Sequence, residues 1–300
     1  MPTSIGDFNN AVKGLNIMKV VQYCKILERE KILLKIGTKD QSLVGPCYVS
    51  IVESPKNELN ESYDLLCEGF LAIRNNFENS VFPVIAHISE LDLDIGTAFY
   101  LRTVTGFYII TAFHCVDKMI NIQIPVSEND FIKPKRAFKS SNKKIDIAVL
   151  EIDSLEKNHK PLFTDECKIL DEILTIGYPP IPGFDAFQIA ELSTINSTIR
   201  ASRGNVLGNN NSYLDGLDYL LINARVKGGN SGSPIISKLG YACGVLVNIP
   251  SDPNDKTKLD DLGYGLGLSS KEIEAIINGI GTEKTTELNI DLTENGFKIK

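Results

Sequence analysis

No stretch of this 300-residue chain reaches the ~18 consecutive apolar residues that a membrane-crossing helix needs. The first residues, Met1-Pro2-Thr3-Ser4-Ile5-Gly6-Asp7, lack the basic segment and apolar run of a secretory leader, so the chain reads as cytoplasmic with no membrane partner. There is no surplus of basic residues. Lys and Arg number 31 against 38 Asp and Glu, and a net charge of −7 argues against a nucleic-acid partner held by charge. No Cys-x-x-Cys pair occurs among Cys24, Cys47, Cys67, Cys115, Cys167 and Cys243, so neither a metal site nor a cofactor is expected. Six cysteines could form three disulfides, but a domain of this size does not depend on them. Histidine is scarce: His87, His114 and His159 are the whole supply. What the chain does have is 43% hydrophobic residues, enough for a sizeable core in one or two domains.

With so few histidines, context decides which of them can serve as a base. His87 lies in an apolar, strand-like run at 81–88, and His159 in a polar stretch at 156–160. His114 follows Phe107-Tyr108-Ile109-Ile110-Thr111-Ala112-Phe113, which reads as a buried strand ending in a short helical turn. A histidine there can reach out of a core into a cleft. Asp146 stands just before Ile147-Ala148-Val149-Leu150-Glu151-Ile152. A carboxylate at the mouth of a buried strand is costly unless paired, and an imidazole N–H is a fitting partner. Ser231 lies in Gly228-Gly229-Asn230-Ser231-Gly232-Ser233-Pro234, where glycines permit turns that a Cβ forbids. Such a turn can aim the N–H groups of Gly229 and Ser231 at one point. Taken singly, each has an ordinary reading: a core histidine, a turn aspartate after Lys143-Lys144, a surface serine. Taken in chain order they supply a base, the acid that orients it, and a nucleophile beside donors for an oxyanion.

These segments resemble the chymotrypsin-like (trypsin-like) serine protease superfamily. Thr111-Ala112-Phe113-His114-Cys115 is similar to its Thr-Ala-Ala-His-Cys, and Asp146-Ile147-Ala148-Val149-Leu150 to its Asp-Leu-Ala-Leu-Leu. Gly229-Asn230-Ser231-Gly232-Ser233-Pro234 is similar to its Gly-Asn/Asp-Ser-Gly-Gly/Ser-Pro. The order His, Asp, Ser is that of this superfamily and not of α/β-hydrolases or subtilisins. Gly96-Thr97-Ala98-Phe99, Leu174-Thr175-Ile176-Gly177-Tyr178-Pro179, Gly244-Val245 and Gly263-Tyr264-Gly265-Leu266-Gly267-Leu268-Ser269 make the pattern closest to HtrA-type protease domains, over residues 80–280.

The resemblance implies a mainly β fold with two six-stranded antiparallel β-barrels, an active site in the cleft between them and a closing C-terminal helix. It implies a serine endopeptidase acting on protein or peptide substrates, with Ser231 as nucleophile, His114 as base and Asp146 as its orienting acid. The N–H groups of Gly229 and Ser231 would form the oxyanion hole. The substrate pocket would be built from residues 224–228 and 244–248, with Arg225, Lys227, Gly228, Gly244, Val245 and Leu246 as its candidate lining. An inward Arg225 would favour acidic side chains. Glutamyl endopeptidases, which share the serine motif, carry a His shortly after the serine strand, whereas Gly244-Val245-Leu246-Val247 has none; a small or aliphatic preference is the leading expectation. The chain departs from the family in two places. Asn230 stands where members activated by propeptide cleavage keep an Asp, and Cys115 has no cysteine near Gly96 to pair with. About 20 residues follow the closing helix, too few for the peptide-binding PDZ domain common in the HtrA group.

The rest of the chain is divided by its local patterns. Residues 1–78 form an extension of mixed helix and strand. Residues 12–27 suit a helix, with a strand at 20–27 as the alternative, 47–52 suits a strand, and 61–76 a second helix. The extension either packs on the protease or docks a regulatory partner. The protease domain spans 79–281. Strands are predicted at 81–88, 96–104, 107–111, 119–124 and 147–152 for the first barrel (80–155). The second barrel (165–268) takes 173–177, 187–195, 219–224, 234–236, 242–247 and 263–268. Ser269 and Glu272 form a capping box for a helix at 270–279 that Gly279 closes. Residues 282–300 are polar and read as an edge strand or a mobile tail. Two further readings of the site remain beside an active enzyme: a protease gated by a partner or by residues 1–78, and a protease-fold binding module with a misaligned triad.

Overall fold

The computed structural model describes residues 3–11, 16–52, 54, 56–57, 61–89, 92–127, 130–179, 199–212, 216–226, 228–247 and 264–300. The chain divides into two compact units, Met1–Gly69 and Phe70–Lys300.

In the first unit, β1 (Thr3–Ser4) runs into α1 (Ile5–Ala11), and α2 (Ile17–Arg29) follows. Asn16 caps α2, its side chain accepting the N–H groups of Met18 and Lys19, which sets the start of the helix. The helical reading of 12–27 therefore holds from Ile17 onward; residues 12–15 lie outside the described residues. Strands β2 (Leu33–Thr38) and β3 (Pro46–Ser50) complete a three-stranded antiparallel sheet in the order β1-β3-β2. Lys19 Nζ and Tyr23 Oη both donate to Glu68 Oε1 at 2.7 Å, fastening α2 to α3 (Ser62–Glu68). The single helix expected over 61–76 is broken. Gly69, with φ +82, ends α3, and α4 (Phe70–Phe77) opens the second compact unit.

The second unit is mainly β. Its first sheet contains β4 (Val81–His87), β5 (Leu93–Arg102), β6 (Phe107–Thr111), β7 (Asn121–Gln123), β10 (Arg136–Ser140) and β11 (Ala148–Ile152). A two-stranded ribbon, β8 (Pro125–Ser127) and β9 (Asp130–Phe131), branches off between β7 and β10. Those six strands are the expected first barrel, with β10 unforeseen. They run in the order β10-β11-β6-β5-β4-β7, which leaves β10 and β7 as free edges.

The C-terminal segment covers both edges. After helix α5 (Ser270–Asn278) come β18 (Thr285–Leu288), β19 (Ile290–Thr293) and β20 (Gly296–Ile299). Strand β18 pairs with β10, and β20 pairs with β7, giving a nine-stranded, nearly closed sheet. Phe297 is fully buried against β7, opposite Ile122. The stretch at 282–300 thus forms edge strands, the first of the two readings, and anchors them through the buried Phe297 and Ile299. Covering exposed strand edges is a general requirement for soluble sheets, and here the chain's own last strands do it.

The second barrel is closed, in the order β12 (Glu172–Gly177), β13 (Arg200–Asn211), β14 (Asp218–Ile222), β17 (Gly265–Ser269), β16 (Ala242–Leu246), β15 (Pro234–Ser237). Ile173, Val206, Ile222, Ile235 and Leu246 fill its interior. The strand expected at 187–195 lies outside the described residues. Cys167, in the connection between the two sheets, forms a disulfide with Cys243 of β16, whereas Cys24, Cys47, Cys67 and Cys115 are free thiols. Helix α5 buries Ile273, Ile276 and Ile277 as its spacing demands. The capping box does not form: Ser269 is the N-cap residue but its side chain makes no cap bond, and Ser270 Oγ instead donates to the carbonyl of Asp165 at 2.7 Å. No helix among the described residues is long and apolar enough to cross a membrane.

Candidate active site

The register of two neighbouring strands brings His114 and Asp146 together. Strands β6 and β11 are antiparallel with Thr111 opposite Ala148. Continuing that register, residue 113 faces residue 146, and the N–H of Phe113 donates to the carbonyl of Asp146 at 3.3 Å. One turn of 3₁₀ helix, Phe113–Cys115, then lifts His114 over the carboxylate. Asp146 holds the histidine at two points. Its Oδ1 accepts the backbone N–H of His114 at 2.8 Å, and its Oδ2 accepts the ring Nδ1–H at 2.6 Å. Two bonds from one carboxylate fix both the position of the residue and the plane of the ring. With Nδ1 engaged, Nε2 is the nitrogen left for other chemistry.

Burial by itself would lower the His114 pKa. The Asp146 hydrogen bond, the adjacent Cys115 thiol and the Asp146 charge outweigh it, and the imidazole is held well above its ordinary value of 6.5. Burial pushes the Cys115 thiol up, which keeps it an uncharged filler beneath the site.

Ser231 reaches the same place from the second barrel. The turn ahead of β15 uses two left-handed glycines, Gly229 at φ +86 and Gly232 at φ +87. At Gly232 glycine is strongly favoured, because a Cβ there would sit 1.9 Å from the carbonyl oxygen of Thr97. The Ser231 carbonyl accepts the N–H of Thr97 at 2.8 Å and lies 3.8 Å from Cys115 Sγ, the residue next to His114. Asn230, between the glycine and the serine, is buried. The chain therefore places the backbone of Ser231 directly against the segment that carries His114.

The remaining candidates are arranged as follows. Arg225 is exposed, and its backbone N–H donates to Ser202 Oγ at 2.8 Å. Lys227 lies outside the described residues. Gly228 is exposed, and a Cβ there would meet nothing within 4 Å. Gly244 packs tightly against the carbonyl of Leu268. The side chains of Val245 and Leu246 are both buried, that of Leu246 in the barrel interior. Strand β16 pairs on both edges, with β15 and β17, and all five of its residues are buried. Leu246 contributes through its backbone, accepting the N–H of Gly232 at 2.7 Å. Val226 lies within the stretch 224–228 expected to build the pocket, though it is not among the named lining residues. Its side chain is half-buried and packs over Gly265, where a Cβ would come within 2.5 Å of Val226 Cγ2. His87 bonds Gln123 and His159 bonds the carbonyl of Asn79, so both are structural. Among the described residues no three His, Cys, Asp or Glu side chains gather as a metal site.

Comparison with known proteins bears on the family and the fold. A family model described as the trypsin-like peptidase domain matches residues 96–245. A serine protease Do-like HtrA from Lactococcus lactis subsp. cremoris is 25% identical over 197 residues, 65% of this chain and 46% of that protein. Its counterpart from Lactococcus lactis subsp. lactis is likewise 25% identical, over 192 residues, 63% of this chain and 45% of its own. The chain thus spans about half the length of these curated relatives. In fold it is similar to the HtrA-type protease AlgW with tripeptide, at a TM-score of 0.52 and 16% identity, covering 74% of this chain and 68% of that one. It is also similar to the active form of the Rv3671c protease from M. tuberculosis, at 0.50 and 18%, covering 75% and 88%. The family model takes in half of the chain, from the strand before His114 to the strand after Ser231, and the chain belongs to the family of trypsin-like peptidase domains.

Proposed function

We propose that the chain is a serine endopeptidase that hydrolyses peptide bonds through an acyl-enzyme. The observation that carries this is the two-point hold of Asp146 on His114, set against the glycine turn that presents Ser231. Ser231 attacks the substrate carbonyl while His114 Nε2 takes the hydroxyl proton. The charged imidazole is stabilised by Asp146, and its proton then passes to the leaving amine. The N–H groups of Gly229 and Ser231 receive the oxyanion. Donors of this kind are worth about 3 kcal/mol of barrier each. Water then attacks the acyl-enzyme by the same proton path in reverse.

For the residue before the scissile bond we favour a small or aliphatic side chain. Two features support this: Val226 presents methyl groups beside Gly265, and the stretch after the serine strand, Gly244-Val245-Leu246-Val247, has no His. Hydrolysis of a peptide library by the purified chain tests both parts. Cleavage after small or aliphatic residues, lost in Ser231→Ala, is the expected result. A Ser231→Ala variant that cleaves at the wild-type rate refutes the mechanism, and cleavage after Glu or Asp refutes the preference.

A further inference from the structure

Thr97 belongs to the Gly96-Thr97-Ala98-Phe99 strand and is not one of the residues assigned a chemical role above. It is fully buried, yet it is polar, and every polar group it has is spent on or around the serine turn. Its N–H donates to the carbonyl of Ser231 at 2.8 Å. Its hydroxyl donates to the carbonyl of Gly229 at 2.8 Å, since a carbonyl can only accept. The same hydroxyl oxygen accepts the N–H of Tyr178 at 3.0 Å, which leaves the Thr97 proton only one way to point. Its carbonyl accepts the Thr111 hydroxyl at 2.7 Å, and Pro83, its partner across the ladder to β4, has no N–H to compete.

The pattern matters because a peptide's carbonyl and N–H point in opposite directions. Thr97 fixes the peptides that follow Gly229 and Ser231, one on each side of the peptide that carries the Ser231 N–H. The carbonyl of that middle peptide, from Asn230, accepts the N–H of Ser233 at 2.9 Å. Three consecutive carbonyls are thus drawn to protein donors, two of them by one threonine. The room around this residue is correspondingly tight. A Cβ at Gly177 would come within 3.0 Å of Thr97 Oγ1, and one at Gly232 within 1.9 Å of its carbonyl oxygen.

We propose that Thr97 is the positioning residue of the oxyanion turn, its hydroxyl holding the Gly229 carbonyl inward so that the turn's donors face the developing anion. The inference rests on the protease reading above and adds to it a residue on the other barrel that sets the geometry of the hole. Thr97→Val removes the hydroxyl at constant shape, and Thr97→Ser keeps it while removing only the methyl group. Both are compared with wild type in kcat, in KM for a peptide amide, and in affinity for a peptide boronic acid, which mimics the tetrahedral anion.

The expected result for Thr97→Val is a fall of about 10–100-fold in kcat, a KM within about 2-fold of wild type, and a parallel loss of boronate affinity, because an oxyanion donor is worth about 10²–10³ when lost outright. Thr97→Ser should restore kcat and boronate affinity. A Thr97→Val protein that loses only thermal stability and keeps wild-type kcat overturns the proposal, as does a Thr97→Ser protein as slow as Thr97→Val. Should Thr97→Val fail to fold, Thr97→Ser decides alone: lowered Tm with wild-type kcat is expected, and a folded variant with kcat reduced tenfold contradicts the assignment. A wild type that neither hydrolyses peptides nor binds the boronate removes the protease reading and this inference with it. A working wild type beside an unaffected Thr97→Val removes the inference only.

Discussion

Replacing Gly232 with alanine tests the packing of the serine turn more sharply than any other single change. At φ +87 an alanine occupies the left-handed region, which costs about 1–2 kcal/mol. Its methyl group would also lie 1.9 Å from the Thr97 carbonyl oxygen, 2.5 Å from Thr111 Oγ1 and 2.9 Å from the Ala112 nitrogen. None of the three can simply swing aside. The Thr97 carbonyl is held by the Thr111 hydroxyl, and the other neighbour is backbone. Overpacking of this kind costs about 1–3 kcal/mol, so the expected total is about 2–5 kcal/mol. For a unit of this size that corresponds to a Tm lowered by roughly 5–15 °C. The assay is urea unfolding, where the midpoint should fall with little change in slope. Gly228→Ala is the control, because a Cβ there meets nothing within 4 Å, and it should stay within about 0.5 kcal/mol of wild type. A Gly232→Ala protein that loses less than about 1 kcal/mol would refute the packing argument.

Four further outcomes are expected. His114 must be neutral to act as a base, and its pKa in the fold is raised, chiefly by Asp146 against the effect of burial. The kcat/KM profile should therefore rise with pH through a value above 6.5, and an inflection at or below 6.5 would contradict the pairing. The linkage to stability follows the same sign. The contribution from this pair is complete below 6.5 and is lost as pH rises through the folded value, so wild type should lose Tm relative to His114→Gln over that range. Asp146→Asn removes the largest raising influence, so the inflection should move down while kcat falls by about 10⁴, the loss found when such an aspartate is neutralised in a well-studied triad. Phe297→Ala should destabilise the second unit by about 3–5 kcal/mol in urea unfolding, since the ring is fully buried between the C-terminal strands and β7; a cost under about 1 kcal/mol would mean the last strands are peripheral.

The parts of the site that were legible in the sequence are those fixed by local chemistry. His114 follows an apolar strand, Asp146 precedes one, and Ser231 lies between glycines whose positive φ the turn requires. Neighbouring strands in register then bring the first two together without any further signal. What stayed hidden depends on partners distant in the chain. Strand Arg136–Ser140 has only two apolar residues, Ala137 and Phe138, and both are buried because β11 and β18 flank it. Strand Arg200–Asn211 is polar and glycine-bearing, and a bulge between Val206 and Gly208 shifts its register. Both features weaken a period-2 pattern. The C-terminal stretch leaves an edge strand and a mobile tail both open in the sequence, because its role, closing the edges of a sheet that begins some 200 residues earlier, is written mainly in Phe297 and Ile299. The division of the helix expected over 61–76 has a local cause: one glycine, Gly69, interrupts what the apolar spacing presents as a single helix. Thr97 lies in a segment that carries the family resemblance, but its hydrogen-bonding role was not legible, because a threonine in a strand is ordinary until its partners are seen.

The central claim is that Ser231 is an activated nucleophile. The most direct test is labelling of the purified full chain with a fluorophosphonate probe, with the modified peptide located by mass spectrometry. The account expects a single adduct on Ser231 that is absent in Ser231→Ala and much slower in His114→Ala. A folded wild-type protein that takes up no probe, or takes it up equally after Ser231→Ala, would contradict it.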